Sequence, residues 1–218
     1  MKKHLYIFAF LSLIYCSKES KTTSEISVKD SLITNSKDTL QRTNQGLETK
    51  NTNKDETLKS LNDQILSTLK AKDYTRFSSY IHPEKGVQFS MYAYIQPNQD
   101  KRFTRQEFIK YASTNIKFTW GEKDGSGDKL VLSIKDYFNN WVFNRDFTKG
   151  EYQLNTFKGS GNSLNNLQET YAGFNFTENF LPGSEQYSGM DWNSLRLVFE
   201  ELHGTYYLVA VINDEWTI

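Results

Sequence analysis

The chain has few of the residues that build metal and redox sites, with one cysteine and three histidines among its 218 residues. A lone cysteine has no partner for an internal disulfide, and structural zinc sites take four Cys or His ligands, so the sequence argues against both. Lys and Arg number 26, Asp and Glu number 26, and the formal net charge is +0. Without a dense basic stripe, nucleic acid is not expected as a partner, because neutralisation of phosphates dominates such binding.

Long apolar runs are also missing. The run at the N-terminus, Leu5 to Tyr15, is too short to span a bilayer, because a membrane helix needs about 20 apolar residues. It follows two lysines and precedes polar sequence from Ser17. This layout predicts a secretory signal peptide over residues 1–15 rather than a transmembrane anchor.

The single cysteine, Cys16, directly follows this run and ends the segment Leu13-Ile14-Tyr15-Cys16. The segment resembles a bacterial lipobox, whose Cys is acylated before cleavage on its N-terminal side. It departs from the pattern at Tyr15, where lipoboxes usually carry Gly, Ala or Ser. The alternative is a signal peptide cut elsewhere that happens to contain a cysteine. The resemblance implies a chain held on the lipid bilayer by acyl chains, such as palmitate, on Cys16.

The sequence SKES after the cysteine resembles the surface-export signals of Bacteroidetes lipoproteins, which favours the outer membrane. Residues 16–55 are polar, and their isolated aliphatic residues recur at no helical or strand period. Such a segment buries too little apolar surface to offset its ordering entropy, so it is predicted to be a flexible tether. The alternative is a poorly patterned helix near Val28 to Leu40. Residues 56–218 are predicted to form one domain.

Periodicity predicts helices at the start of this domain. The apolar residues of the first helix recur at helical spacing: Leu58, Leu61, Ile65 and Leu69. A short second helix follows and ends where Pro83 disfavours the helical conformation at His82. Thr104 and Glu107 have the spacing of a capping box, which predicts a third helix from about Arg105.

Strands are predicted between and after these helices. The segment from Val87 to Ile95 alternates, with Tyr92 and Tyr94 on its polar face. The strand-like segments IKFTW and KLVLSI flank the turn GEKDGSGD. The segments LRLVFEEL and TYYLVAVI, joined by His203-Gly204, predict an antiparallel hairpin whose last strand is central, since it is apolar on both faces. No period predicts the structure of residues 136–177.

This order of elements, an α+β fold, resembles the NTF2-like cone, in which N-terminal helices pack on a curved antiparallel sheet that encloses a pocket. The segment LKAKDYTRFSSYIHPEKGVQFS is similar to the helix-to-strand junction of that superfamily. The segments HPEKGVQFSMYAYI, WGEKDGSGD, GMDWNSLRLVFE and WTI are similar to signatures of an uncharacterised family of bacterial secreted or lipoprotein domains. That family brings no assigned activity.

Motifs for established chemistries are weak or missing, and no metal or cofactor is expected. Asp124 to Asp128 place oxygens at alternate positions, as calcium loops do. Lys129 and Lys135 stand where such a loop has its Gly and its bidentate Glu, so a Gly-rich turn is favoured. Ser160 lacks the spacing of a nucleophile elbow, so a serine hydrolase is not expected.

A candidate pocket remains from polar and aromatic residues placed to line a concave sheet: His82, Tyr92, Tyr94, Trp120, Asp191, Trp192, Asp214 and Trp216. The alternative is that the aromatic residues are core and the carboxylates are solvated turn residues. In NTF2-like enzymes such as ketosteroid isomerases, an acid or His moves a proton while a Tyr holds the oxyanion. That resemblance implies Asp191, Asp214 or His82 beside Tyr92 or Tyr94.

Two functional hypotheses follow. The favoured one is a non-catalytic module, displayed on a lipid anchor, that binds a small molecule or another envelope protein. The alternative is a small pocket enzyme of the isomerase or dehydratase type. The first is favoured because the sequence shows no clear set of acid and base residues for catalysis. It does show the features of a domain displayed on a lipid anchor.

Overall fold

The computed structural model describes residues 37–162 and 164–217, with side chains from residue 53 onward. The predicted signal peptide, Cys16 and residues 16–36 of the predicted tether lie outside these residues. The chain divides into two units, Met1–Arg42 and Thr43–Ile218. Within the described ranges, no helix combines the length and hydrophobicity that a bilayer crossing requires.

The three longest helices of the described residues are α1 Lys37–Lys70, α2 Tyr74–Tyr80 and α3 Arg105–Ala112, and α3 follows the first two strands. The predicted capping box of α3 is confirmed, with Thr104 and Glu107 bonded reciprocally to backbone N–H groups. Helix α1 begins before the predicted domain, so the structure differs from the tether prediction over residues 37–55. This stretch contains no proline, so no residue in it forces a helix break.

In the described part of the chain, six strands form one sheet in the order β2-β1-β8-β7-β6-β5. Their bounds are β1 Val87–Ser90, β2 Lys101–Phe103, β5 Glu151–Leu154, β6 Asn175–Leu181, β7 Asn193–Leu202 and β8 Thr205–Glu215. All neighbours are antiparallel except β1 and β8, which are parallel. The α+β class is therefore confirmed, with a mostly antiparallel sheet.

A separate two-stranded sheet joins β3 Lys117–Glu122 to β4 Lys129–Ser133, and the Gly-rich turn predicted at Asp124 to Asp128 connects them. Short helices complete the chain: α4 Ile134–Tyr137, a π-helix Phe138–Val142, 3-10 turns Phe147–Lys149 and Glu185–Tyr187, and α5 Leu167–Thr170.

The C-terminal hairpin is confirmed, and β8 is central between β1 and β7. His203 and Gly204 have φ values of 51° and 79°, the left-handed conformation that a two-residue hairpin turn of type I′ requires. The strand predicted from Val87 to Ile95 is shorter, because β1 ends at Ser90 and the chain then bends.

This bend sends Ile95 to the opposite face of the sheet from Val87 and Phe89. Asn166 holds it there, because its side-chain amide binds both the N–H and the carbonyl of Ile95, at 2.8 and 3.0 Å. The predicted strict alternation therefore fails after Ser90.

Two apolar layers cover the sheet. The helices pack on one face around buried aromatic rings, which include Phe77, Phe89, Phe103, Phe108, Trp120, Tyr137 and Phe138. The other face, formed by Val198, Val209, Ala210 and Ile212, is covered by Leu167, Phe157, Tyr171 and Phe174. The segment 136–177, whose structure no period predicted, thus supplies the cover of this second face.

Candidate functional site

The candidate tryptophans are split between core and surface. Trp120 is buried, its ring stacks on Tyr137 with centroids 3.6 Å apart, and its Nε1 donates to the carbonyl of Leu132. Trp192 is also buried and packs beside Phe180. Trp216, in contrast, is exposed. The first two therefore act as core residues, as the alternative interpretation expected.

The two candidate tyrosines have different surroundings. The hydroxyl of Tyr92 accepts a hydrogen bond from the backbone N–H of Asp124 at 2.9 Å, which ties the bent segment after β1 to the β3–β4 turn. Burial raises the pKa of Tyr92. Tyr94 is half exposed. Neither is paired with Asp191, Asp214 or His82 in the hydrogen bonds of the described residues.

Asp191 closes a surface loop. Its carboxylate accepts hydrogen bonds from the N–H and the hydroxyl of Ser184, at 2.6 and 3.1 Å. The backbone N–H of Ser184 lowers the pKa of Asp191, and Arg145 donates to the Asp191 carbonyl at 2.6 Å. This is the turn-residue role that the alternative interpretation gave to the carboxylates.

His82 is buried at the junction of α2 and β1. Its Nδ1 accepts the N–H groups of Glu84 and Lys85, at 3.2 and 3.0 Å, and its Nε2 lies 3.4 Å from Glu200. Burial lowers the pKa of His82, and the nearby Glu200 carboxylate offsets this in part. The imidazole is therefore held neutral as an acceptor that shapes the turn after α2.

Asp214 belongs to a buried ion cluster that the sequence interpretation missed. Its Oδ2 lies 2.7 Å from Nη2 of Arg196, which is also 2.8 Å from Oε1 of Glu178. Both partners are fully buried. Burial raises the pKa of Asp214, and Arg196 lowers it by less. One signal was present in the sequence, because Arg196 lies between the apolar residues Leu195 and Leu197 of its strand. Glu178 gives no such signal, because its neighbours Thr177 and Asn179 are polar.

A covering segment, residues 157–162, closes this ion cluster. Glu178 accepts the N–H groups of Lys158 and Gly159, Arg196 donates to the Gly159 carbonyl at 3.0 Å, and the Phe157 ring lies 4.8 Å from the guanidinium carbon. Trp192 packs on the same segment, so the structure brings Trp192 and Asp214 to one place. The covering segment fills the space over the ion cluster, so Trp192 and Asp214 do not line an open pocket there.

An open cleft lies elsewhere, between residues 96–100 and strand β3. It has a volume of about 290 Å³, and Asp100 lines it. Gln96 and Gln99 lie on one side, and Thr119, Glu122 and Lys129 of the β3–β4 hairpin lie on the other. None of these residues was a sequence candidate, because the cleft depends on how the bend after β1 meets the hairpin. Shallower grooves of about 500 and 470 Å³ flank α1.

No group of three or more His, Cys, Asp or Glu side chains in the described part of the chain is placed to hold a metal ion. No protein-family model matches the chain, and neither a curated protein nor a solved structure matches it.

Proposed function

We propose that this chain is a bacterial outer-membrane lipoprotein, anchored through acylated Cys16, whose α+β domain is a non-catalytic binding or interaction module. One observation carries the proposal for the domain. The space between the helices and the sheet, where an NTF2-like enzyme holds its substrate, is filled by aromatic rings. The ring of Phe89, for example, contacts the rings of Trp120, Tyr137 and Phe138, with centroids 5.4 to 6.1 Å apart.

The placement of the acid-base candidates supports the same proposal. His82 is an acceptor for backbone N–H groups, Asp191 closes a loop, and Asp214 is sealed beneath the covering segment. A proton-transfer site needs such a group within hydrogen-bond reach of a substrate. These roles favour the binding module over the isomerase or dehydratase alternative.

The domain is further proposed to be NTF2-like and to belong with the uncharacterised family of secreted and lipoprotein domains that it resembles. The order of its elements supports this: two helices, a strand pair, a third helix and long strands that end the chain. The helices also pack on one face of the sheet. The separate β3–β4 hairpin is a departure from a simple cone.

The anchor is tested by Cys16→Ser. This change removes the thiol that would carry the acyl chains, and we expect it to abolish labelling by an alkyne analogue of palmitate and to release the protein from the membrane fraction. Ser17→Ala is the matched control and should keep both properties. Unchanged labelling of Cys16→Ser would refute the anchor.

The non-catalytic role is tested by native mass spectrometry of the full chain, extracted gently from its membrane. A small molecule that is retained and released chemically unchanged supports a binding module. Conversion of that molecule into a product by the purified protein would refute the proposal and favour the pocket enzyme.

A further inference from the structure

The cleft between residues 96–100 and β3 contains a carboxylate without a cationic partner. Oδ2 of Asp100 accepts hydrogen bonds from the Gln96 N–H at 2.9 Å and from the Gln88 side-chain amide at 3.2 Å. Both donors are neutral. Among the described residues, no Lys, Arg or His forms an ion pair with Asp100. The groups that bind this carboxylate directly are therefore neutral, and the guanidinium of Arg102 binds the oxygen of the same Gln88 amide rather than Asp100 itself.

Partial burial makes this charge costly. Burial raises the pKa of Asp100, and the hydrogen bonds from Gln96, Gln88 and Ser90 lower it by less. A carboxylate removed from water without a cation costs free energy, which a bound cation would recover. The hydrogen bonds explain how Asp100 shapes its own turn, but they leave this charge without a counter-ion.

A bulge in β3 builds the opposite wall of the cleft. The pairing register of β3 with β4 shifts between Thr119 and Gly121, and Trp120 between them turns into the core to stack on Tyr137. A Cβ atom at Gly121 would lie 2.8 Å from Sδ of Met91, so the hairpin lies close against the bent segment. Bulges of this kind redirect neighbouring side chains, and they recur beside functional sites.

The remaining charges of the cleft offset one another. Glu122 and Lys129 are direct cross-strand partners, with opposite charges. Asp100 therefore gives the cleft a net negative charge. Gln96, Gln99 and Thr119 add amide and hydroxyl groups, and the volume of about 290 Å³ lies near the lower end of ligand pockets, which suits a molecule of amino-acid size.

We propose that this cleft binds a small organic cation, an amine or guanidinium compound of amino-acid size, whose charged end pairs with Asp100. The inference rests on the proposed binding function and gives it a ligand class. The cation supplies the charge-assisted hydrogen bond that the protein itself does not supply to Asp100. Gln96 and Gln99 bind the polar remainder of the ligand.

The test uses the full chain in mild detergent, titrated calorimetrically with putrescine and with 1,4-butanediol, a neutral probe of equal chain length. We expect putrescine to bind at least tenfold more tightly than the diol. Asp100→Asn keeps an oxygen acceptor for the Gln96 N–H, and it should weaken putrescine binding at least tenfold. Asp63→Asn changes an exposed carboxylate on α1 and should leave binding unchanged.

A second variant keeps the test decisive if Asp100→Asn does not fold. Gln99→Lys places a cation in the cleft beside an intact Asp100 and should weaken putrescine binding at least tenfold, whereas Gln99→Ala removes only one neutral contact and should weaken it clearly less than Gln99→Lys does. Equal affinity for putrescine and the diol, or unchanged affinity in Asp100→Asn or Gln99→Lys, would overturn the cation site. Its failure is distinct from failure of the anchor, because Cys16→Ser reports on membrane attachment and not on the cleft.

Discussion

At the scale of single residues, the buried ion cluster makes stability depend on one cation. Arg196 is the shared partner of Glu178 and Asp214, so Arg196→Met leaves two buried acids without a counter-ion. Breaking a buried pair in this way costs about 3–5 kcal/mol. We expect a loss of that size in the free energy of unfolding, measured by urea denaturation.

Asp214→Asn is the matched change within the same cluster. Burial raises the pKa of Asp214, so the folded state already disfavours its charge and tolerates a neutral amide of the same shape. We expect a loss of about 1 kcal/mol, the contribution of one hydrogen bond. Equal losses for Asp214→Asn and Arg196→Met would contradict the role of Arg196 as the shared partner.

His82 predicts a pH dependence of stability. Because burial lowers its folded-state pKa below 6.5, the unfolded chain binds a proton more readily than the folded chain. Its contribution to stability is complete above about pH 6.5 and is lost as the pH falls through that value towards the folded pKa. The groups that face His82 are Glu200, Lys85, Glu84 and Arg105.

His82→Asn isolates this effect, because the Asn oxygen can replace Nδ1 as acceptor but does not titrate. Chemical denaturation between pH 7.5 and 5 should show a smaller loss of stability for the variant than for the unchanged chain. Buried carboxylates with raised pKa, such as Asp100 and Asp214, contribute in the opposite direction in both proteins and cancel in the comparison. Parallel pH profiles would exclude His82 as the titrating group.

Residue roles were predictable only where neighbours in sequence decide them. The turn at His82 and the cap formed by Thr104 are local, and Pro83 and Glu107 predict them. Arg196 was not predicted, because its partner Glu178 lies on a different strand and its cover comes from a third segment. Long-range partners of this kind leave no fixed spacing in the sequence.

At the scale of elements, the covering segment depends on small residues. A Cβ atom at Gly159 would lie 2.5 Å from Oγ of Ser194 and 2.8 Å from the Trp192 ring. Gly159→Ala should therefore lower the free energy of unfolding by about 1–3 kcal/mol, the usual cost of overpacking, as measured by urea denaturation. Ser160→Ala, at an exposed neighbouring position, is the control.

The two variants also differ in a second measurement. If the segment is displaced, Trp192 gains solvent and the tryptophan emission of the folded Gly159→Ala protein shifts to longer wavelength. An unchanged spectrum together with unchanged stability would show that the segment does not seal the ion cluster.

Amphipathic elements were predictable because one period decides them. The inward face of α1, the cap of α3 and the C-terminal hairpin are all confirmed. The aromatic residues that cover the second face of the sheet, within 157–176, were not predicted. They follow no period, and Asn166 and Glu178 fix the position of their segments. The cleft at Asp100 was missed for the same reason, since it lies where two irregular segments meet.

At the scale of the whole molecule, the α+β class was predictable from the order of elements, but the start of the folded part was not. Helix α1 packs on the sheet through aliphatic residues and through Asn62, which is fully buried. Its side chain accepts from Thr177 at 2.8 Å and exchanges hydrogen bonds with Asn179. An Asn inside an apolar helical face gives no sign of such a pairing in the sequence.

These contacts predict where the chain can be shortened. A protein of residues 43–218 retains every described contact of α1 with the sheet, and it should unfold in urea with the same midpoint and slope as residues 17–218. Removing α1 as well, to leave 71–218, uncovers the core formed with Leu58, Ile65 and Leu69. Each such side chain contributes about 1.5–3 kcal/mol when buried, and together they rival the roughly 5–15 kcal/mol that holds a domain folded. We therefore expect no cooperative transition for 71–218 by circular dichroism, whereas a cooperative one would show that α1 is an appendage rather than part of the core.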